Sequence, residues 1–154
     1  MTARERIQKI THTWYGYTVF AAVASVVQVA LWPFSPGLLF SPVKLAFTIV
    51  GAALGVVVSV VLNLACAAIG IGVASLLGRA LLARSSFVRL VLLVVSTLGF
   101  VFGGYSALKL TWAAIAHFSP STLVGAVVTG IGVLLYIRSY QVLTDPSVKS
   151  YIAS

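Results

Sequence analysis

Acidic residues are almost missing from this chain. Glu5 and Asp145 are the only two in 154 residues, and neither lies within an apolar run. Carboxylates buried in a membrane mark proton relays and coupling-ion sites. Their shortage argues against a proton- or sodium-coupled transporter, and it removes the paired carboxylates that hydrolytic acid–base chemistry uses. Charge of either sign is scarce: charged residues are 8% of the chain and hydrophobic residues 60%. A soluble globule carries about 25% charged residues, so too few remain here to cover a surface facing water. Cys66 is the only cysteine, which excludes an intrachain disulfide and a cysteine-based metal site. It lies deep in an apolar run and reads as a small packing residue. A Gly-rich phosphate loop, a low-complexity segment and a convincing repeat are all absent. His12 and His117 fall near opposite membrane faces, too far apart to share a metal, and no Ser–His or Cys–His pair sits at a common depth. The chain is therefore expected to be no enzyme, with no catalytic set, no metal and no cofactor.

What is present is a basic, strongly apolar chain. Ten Lys and Arg give a net charge of +8. Excess positive charge can signal nucleic acid. Here, however, the cations stand at the ends of apolar runs instead of forming a patch with interleaved aromatics, so no nucleic-acid partner is expected. The expected solvent is the lipid bilayer. Arg4, Arg6 and Lys9 before a first apolar run resemble a signal peptide, but the run is too long and the stretch Leu31-Trp32-Pro33-Phe34-Ser35-Pro36-Gly37 offers no small-x-small cleavage site. An uncleaved helix is predicted.

The expected fold is all-α: a single domain, 1–154, with four transmembrane helices near 13–32, 43–78, 90–112 and 121–137. Short interfacial or cytoplasmic helical segments flank it at each end. Residues 2–11 read as an amphipathic lead-in along the membrane surface. Trp14 and Trp32 bracket the first span, about 27 Å apart at about 1.5 Å per residue, close to the hydrocarbon thickness. Pro33, Pro36 and Gly37 end it, and Ser41-Pro42, Ser119-Pro120 and Asp145-Pro146 read as caps with proline at the first helical position. Residues 79–89 read as a short link. The second run is too long for a simple crossing, so it is either one long helix or two spans broken near Asn63 or Gly70–Gly72. Charge favours one helix. It leaves Arg4, Arg6, Lys9, Arg79, Arg84, Arg89, Arg138 and Lys149 on one side, with only Lys44 and Lys109 on the other, as the positive-inside rule requires. Both termini are then cytoplasmic, in a membrane expected to be the bacterial inner membrane.

Small residues recur at helical spacing. Gly51, Gly55, Ser59, Asn63 and Ala67 line the second span, Gly99, Gly103 and Ala107 the third, and Ser121, Gly125 and Thr129 the fourth. Such stripes let helices approach closely, so Gly51, Gly55, Ser59, Gly99, Gly103 and Gly125 are the expected packing residues. Gln28 and Asn63 are amides at depth, suited to an interhelical hydrogen bond, with each other if the first two helices are antiparallel neighbours, or to a pore lining. Arg79, Arg84, Arg89 and Arg138 form an expected cytoplasmic ring able to meet anions or lipid headgroups. The expected function is a non-catalytic helix-packing subunit of a homo-oligomer or a larger membrane complex. The alternative is a small oligomeric ion channel gated at its cytoplasmic basic surface. The stripes are small, where a pore would need polarity through the full depth of one helix.

Overall fold

Lipid offers no partner for a free N–H or C=O, so a chain this apolar must close its backbone hydrogen bonds within each segment. In a computed structural model it does so as five helices: α1 (Ala3–Leu31), α2 (Pro42–Leu82), α3 (Ser86–His117), α4 (Pro120–Thr144) and α5 (Pro146–Ala153). The structure describes residues 2–31, 42–117 and 120–153, with side chains of α2 described from Thr48. Trp32, Phe34, the turn at 33–41, the Ser41 and Ser119 caps and the side chain of Lys44 lie outside the described residues. No strand occurs among the described residues. The first four helices are each long and apolar enough to cross a membrane, and the chain is a multi-pass membrane protein built as an all-α bundle.

Helix starts follow local chemistry. Thr2 and Glu5 form a reciprocal capping box: Thr2 N donates to Glu5 Oε2 at 2.9 Å, and Glu5 N donates to Thr2 Oγ1 at 3.3 Å. α2, α4 and α5 each begin on a proline, where the missing N–H has no partner to lose. Asp145 Oδ1 accepts from Ser147 N at 2.9 Å and caps α5.

Two boundaries differ from the sequence expectation. Residues 2–11 do not lie flat as a separate surface segment, because α1 runs unbroken from Ala3. The capping box nucleates the helix there, and Ile7 is fully buried against other helices, so this stretch stands on the axis of the span. The link expected at 79–89 shrinks to residues 83–85. Arg84 adopts a left-handed conformation with φ 64°. Arg84 N then donates to Leu81 O and Ser85 N to Ala80 O, both at 3.1 Å. This is the bond pair that ends a helix with a left-handed cap, usually on glycine. α2 passes through Asn63 and Gly70–Gly72 as one helix of 41 residues. Asn63 is accommodated because its amide donates to Ser59 O and Ser59 Oγ, at 2.8 and 2.9 Å.

The pairing of helices is read from side-chain contacts. Positions Gly78, Gly70 and Gly55 of α2 face Thr11, Thr18 and Val29 of α1, so these helices are antiparallel. Trp14 meets Ser139, Tyr17 meets Val128, and Gln28 meets Gly125, which sets α1 antiparallel to α4. Gly99 with Tyr136 and Gly103 with Val133 set α3 antiparallel to α4. The helices therefore stand side by side in the order α2, α1, α4, α3. α2 and α3 scarcely meet. Residue 6, the 83–85 turn and residue 145 gather at one end, here termed the basic end; residues 31, 42, 117 and 120 mark the far end.

Among the described residues, the cluster of buried apolar side chains lies at the basic end. Ile7, Leu81, Leu143, Val148 and Ile152 are buried together there, contributed by α1, α2, α4 and α5. Over most of the bundle large apolar side chains point outward, among them Leu54, Leu76 and Leu108.

Candidate functional site

Because α2 and α3 flank the α1–α4 pair without closing on each other, a cleft remains between them. It has two chambers. The far chamber, about 430 Å³, is lined by all four spanning helices and includes Ser25, Gln28, Asn63, Cys66 and Thr129. The chamber toward the basic end, about 380 Å³, is bounded mainly by apolar residues such as Leu77, Leu81, Leu92 and Val95. Trp14 and Thr18 border both chambers. No charged side chain lines either one.

The partition between the chambers is an aromatic cluster. Trp14 meets Tyr17 edge-on at 5.6 Å and Tyr136 at 5.1 Å between ring centroids, the geometry aromatic quadrupoles favour. Trp14 Nε1 donates to Ser139 Oγ at 2.9 Å, and Tyr17 Oη donates to the Val128 carbonyl at 3.2 Å. Both bonds join α1 to α4 and hold the cleft floor. Tyr17 reaches that carbonyl because Gly132 has no side chain: a Cβ there would collide with the Tyr17 hydroxyl.

Polar groups in the far chamber differ in how they are satisfied. Thr129 Oγ1 donates to the Gly125 carbonyl at 2.8 Å. The Asn63 amide nitrogen is used within α2, and its Oδ1 accepts no hydrogen bond among the described residues. The Gln28 side chain makes none either; its Nε2 lies 3.1 Å from where a Cβ on Gly125 would stand. Gln28 and Asn63 thus line one chamber without bonding to each other. Neither group is a buried orphan, since no buried side-chain polar atom among the described residues lacks a partner; both are accessible within the chamber and free to meet water, a ligand or another chain.

The other residues singled out in the sequence take varied places. A Cβ at Gly55 would touch Val29 at 3.4 Å, one at Gly103 would touch Val133 at 3.1 Å, and one at Gly99 would stand 2.5 Å from the Tyr136 ring. Gly51 has nothing within 4 Å in the single chain. Ser59 serves Asn63. The arginines do not converge into a ring. Arg84 lies over the Tyr151 ring at 5.1 Å, Arg89 Nε donates to the Leu143 carbonyl at 3.0 Å, Arg79 borders a groove with His12 and Tyr15, and Arg138 faces a different groove on α1 and α4. Four contacts were not anticipated: Gly70 and Gly78 against threonines of α1, Gly132 against Tyr17, and Trp14 bonded to Ser139 instead of serving only as an interfacial ring. The spacing of Gly70 and Gly78 by eight, and of Gly125 and Gly132 by seven, places each pair on one helix face and was the available signal.

At the basic end Arg6 forms an ion pair with Asp145. Two hydrogen bonds from Ser147, and then Arg6, hold the Asp145 carboxyl below the usual carboxylate range. Tyr151 Oη donates to the Leu82 carbonyl at 3.0 Å, tying α5 to the end of α2. Compared with protein-family models, curated proteins and solved structures, the chain matches none.

Proposed function

We propose that this chain is a non-catalytic membrane subunit that assembles, with copies of itself or with other membrane subunits, through the cleft between α2 and α3. The observation that carries this reading is the far chamber. It is lined by polar groups that the chain itself leaves unpaired, Gln28 and the Asn63 carbonyl oxygen, and it opens between two helices that scarcely meet. A helix inserted from another subunit would satisfy those groups and cover the gap. The charge distribution supports an orientation with the basic end, both termini and the 83–85 turn in the cytoplasm of a bacterial inner membrane, since Arg and Lys are retained on that side.

The lone cysteine provides a direct test. Cys66 is exposed in the single chain and borders the far chamber. In native membranes a membrane-permeant maleimide should label Cys66 slowly, and in fully dissociated protein quickly. Equal labelling in both would leave the cleft uncovered and the reading unsupported. Native mass measurement after gentle extraction should find an oligomer or a defined hetero-complex, and a lone monomer would contradict the proposal. Asn63→Leu should weaken assembly while leaving the chain folded, because its present bonds lie within α2.

The polar lining of the far chamber also favours a second reading, an oligomeric ion channel gated at the basic surface. Against it stand the apolar chamber toward the basic end and the aromatic cluster between the two, which interrupt a polar path through one chain. Purified protein in liposomes separates the readings: ion flux above empty vesicles would place the channel first.

A further inference from the structure

We propose that Arg6, Lys9 and Arg138 form a headgroup site for an anionic phospholipid, in a groove lined by α1 and α4 alone. The groove has a volume of about 200 Å³ and is bordered also by Ile10, Thr13 and Val142. It brings three cations together from opposite ends of the chain. Lys9 and Arg138 have no ion pair among the described residues. Arg6 places Nη1 on Asp145, leaving its other guanidinium N–H groups for a second acceptor. Arginine forks and lysine ammonium groups both bind phosphate oxygens well.

The depth is right for a headgroup. Trp14 and Ser139 are bonded across the same helix pair; toward the basic end on α1, Lys9 lies about a turn and a half and Arg6 about two turns from that level, and Arg138 stands beside it on α4. Their stems can lie along Ile10 and Val142 while their charges reach the interface. Basic pockets between helices at a membrane surface are suited to anionic lipid headgroups.

The chains of a lipid also have a place, which a free phosphate would not use. On α1 the face of Arg6, Lys9 and Thr13 continues at helical spacing through Gly16 to Phe20 and Val23. On α4 the face of Val142 and Arg138 continues through Leu134 and Ile131. Phe20, Val23, Ile131 and Leu134 are all exposed, and nothing lies within 4 Å of a Cβ built on Gly16. The cations thus stand at the head of an uncovered apolar strip on both helices. This face is separate from the α2–α3 cleft, so the site does not depend on the assembly proposed above.

The test uses the full-length protein, stripped and reconstituted in phosphatidylcholine with or without phosphatidylglycerol, with retained lipid counted by native mass spectrometry. Phosphatidylglycerol should be retained in preference to phosphatidylcholine. Lys9→Gln and Arg138→Gln should each lower that retention about fivefold, the effect of one cation near an anionic surface. Lys149→Gln, which removes a charge outside the groove, should leave it unchanged. Gly16→Leu, which fills the strip without touching the cations, should weaken retention of the lipid and leave binding of inorganic phosphate unaltered. Equal retention of the two lipids, an equal loss in Lys149→Gln, or full displacement of the lipid by inorganic phosphate would each overturn the proposal.

Discussion

At Gly99 an added methyl group would stand 2.5 Å from Cε1 of Tyr136, a ring that Trp14 also packs against edge-on. Gly99→Ala should therefore cost about 1–3 kcal/mol, the usual range for overpacking. Gly104, only five residues on, has nothing within 4 Å. There Gly→Ala should be neutral or stabilising by up to about 1 kcal/mol, from helix propensity alone. Reversible unfolding in mixed micelles measures both, and equal effects would mean that Tyr136 is not the obstacle. Asp145 makes a second residue-scale case. Its carboxyl is held low chiefly by Ser147 and then by Arg6. A carboxyl with a lowered folded pKa contributes stability that is fully present above its unfolded value of about 3.9 and is lost as pH falls through the folded value. A spin label on Ala153, in a Cys66→Ser background, should gain mobility in that acid range. The same label in Asp145→Asn should already be mobile at neutral pH and show no such step.

Among the elements, α2 is the one whose course was hardest to foresee. Its length is about 60 Å at about 1.5 Å per residue, roughly twice the hydrocarbon thickness, yet it has no break. α1, α3 and α4 are also longer than that thickness, and at the basic end α5 packs against α1 and α4. One helix places the 83–85 turn on the same side as both termini. An impermeant thiol reagent should therefore label cysteines at Ala83 and Ser150 from one face of the membrane, and one beside Asn63 from neither. Labelling of the two sites from opposite faces would require a break in α2. Local signals made the helix starts legible: Pro42, Pro120 and Pro146 each open a helix as expected. The surface lead-in at 2–11 and the link at 79–89 were misjudged for one reason. The lead-in rested on an apolar face together with its cations and the link on its arginines, and charge at a helix end marks where water begins, not where the helix stops.

For the whole molecule, stability is unevenly distributed. The hydrophobic effect needs water to escape from, and among the described residues the buried apolar cluster lies at the basic end. Ile7 is fully buried there among residues of four helices, so Ile7→Ala should destabilise by about 2–5 kcal/mol. Leu108 is 74% exposed on the spanning part of α3, so Leu108→Ala should change little, within about 0.5 kcal/mol. Unfolding in micelles gives both numbers, and comparable losses would mean that the spanning region holds the chain as strongly as the basic end. Within the spans, cohesion rests on close contacts at small residues and a few bonds such as Trp14 to Ser139, as expected where lipid is as apolar as the core.

By itself the sequence determined the class of the molecule. Sparse charge, long apolar runs and proline-marked starts are local features, and a backbone in lipid has few options besides the helix. Counting cations was enough to choose one long α2, because charge sets topology without reference to contacts. Only the tertiary structure decided which faces meet. These helices are apolar nearly all round, so periodicity carries little information on facing, and a glycine against Tyr136 looks like one against nothing. The side-by-side order with α2 and α3 apart could not be read from any segment, nor could the dispersal of Arg79, Arg84, Arg89 and Arg138. Gln28 and Asn63 were identified at depth from sequence, but their placement in one chamber without a bond between them depends on where α1 and α2 each lean. That is a matter of packing.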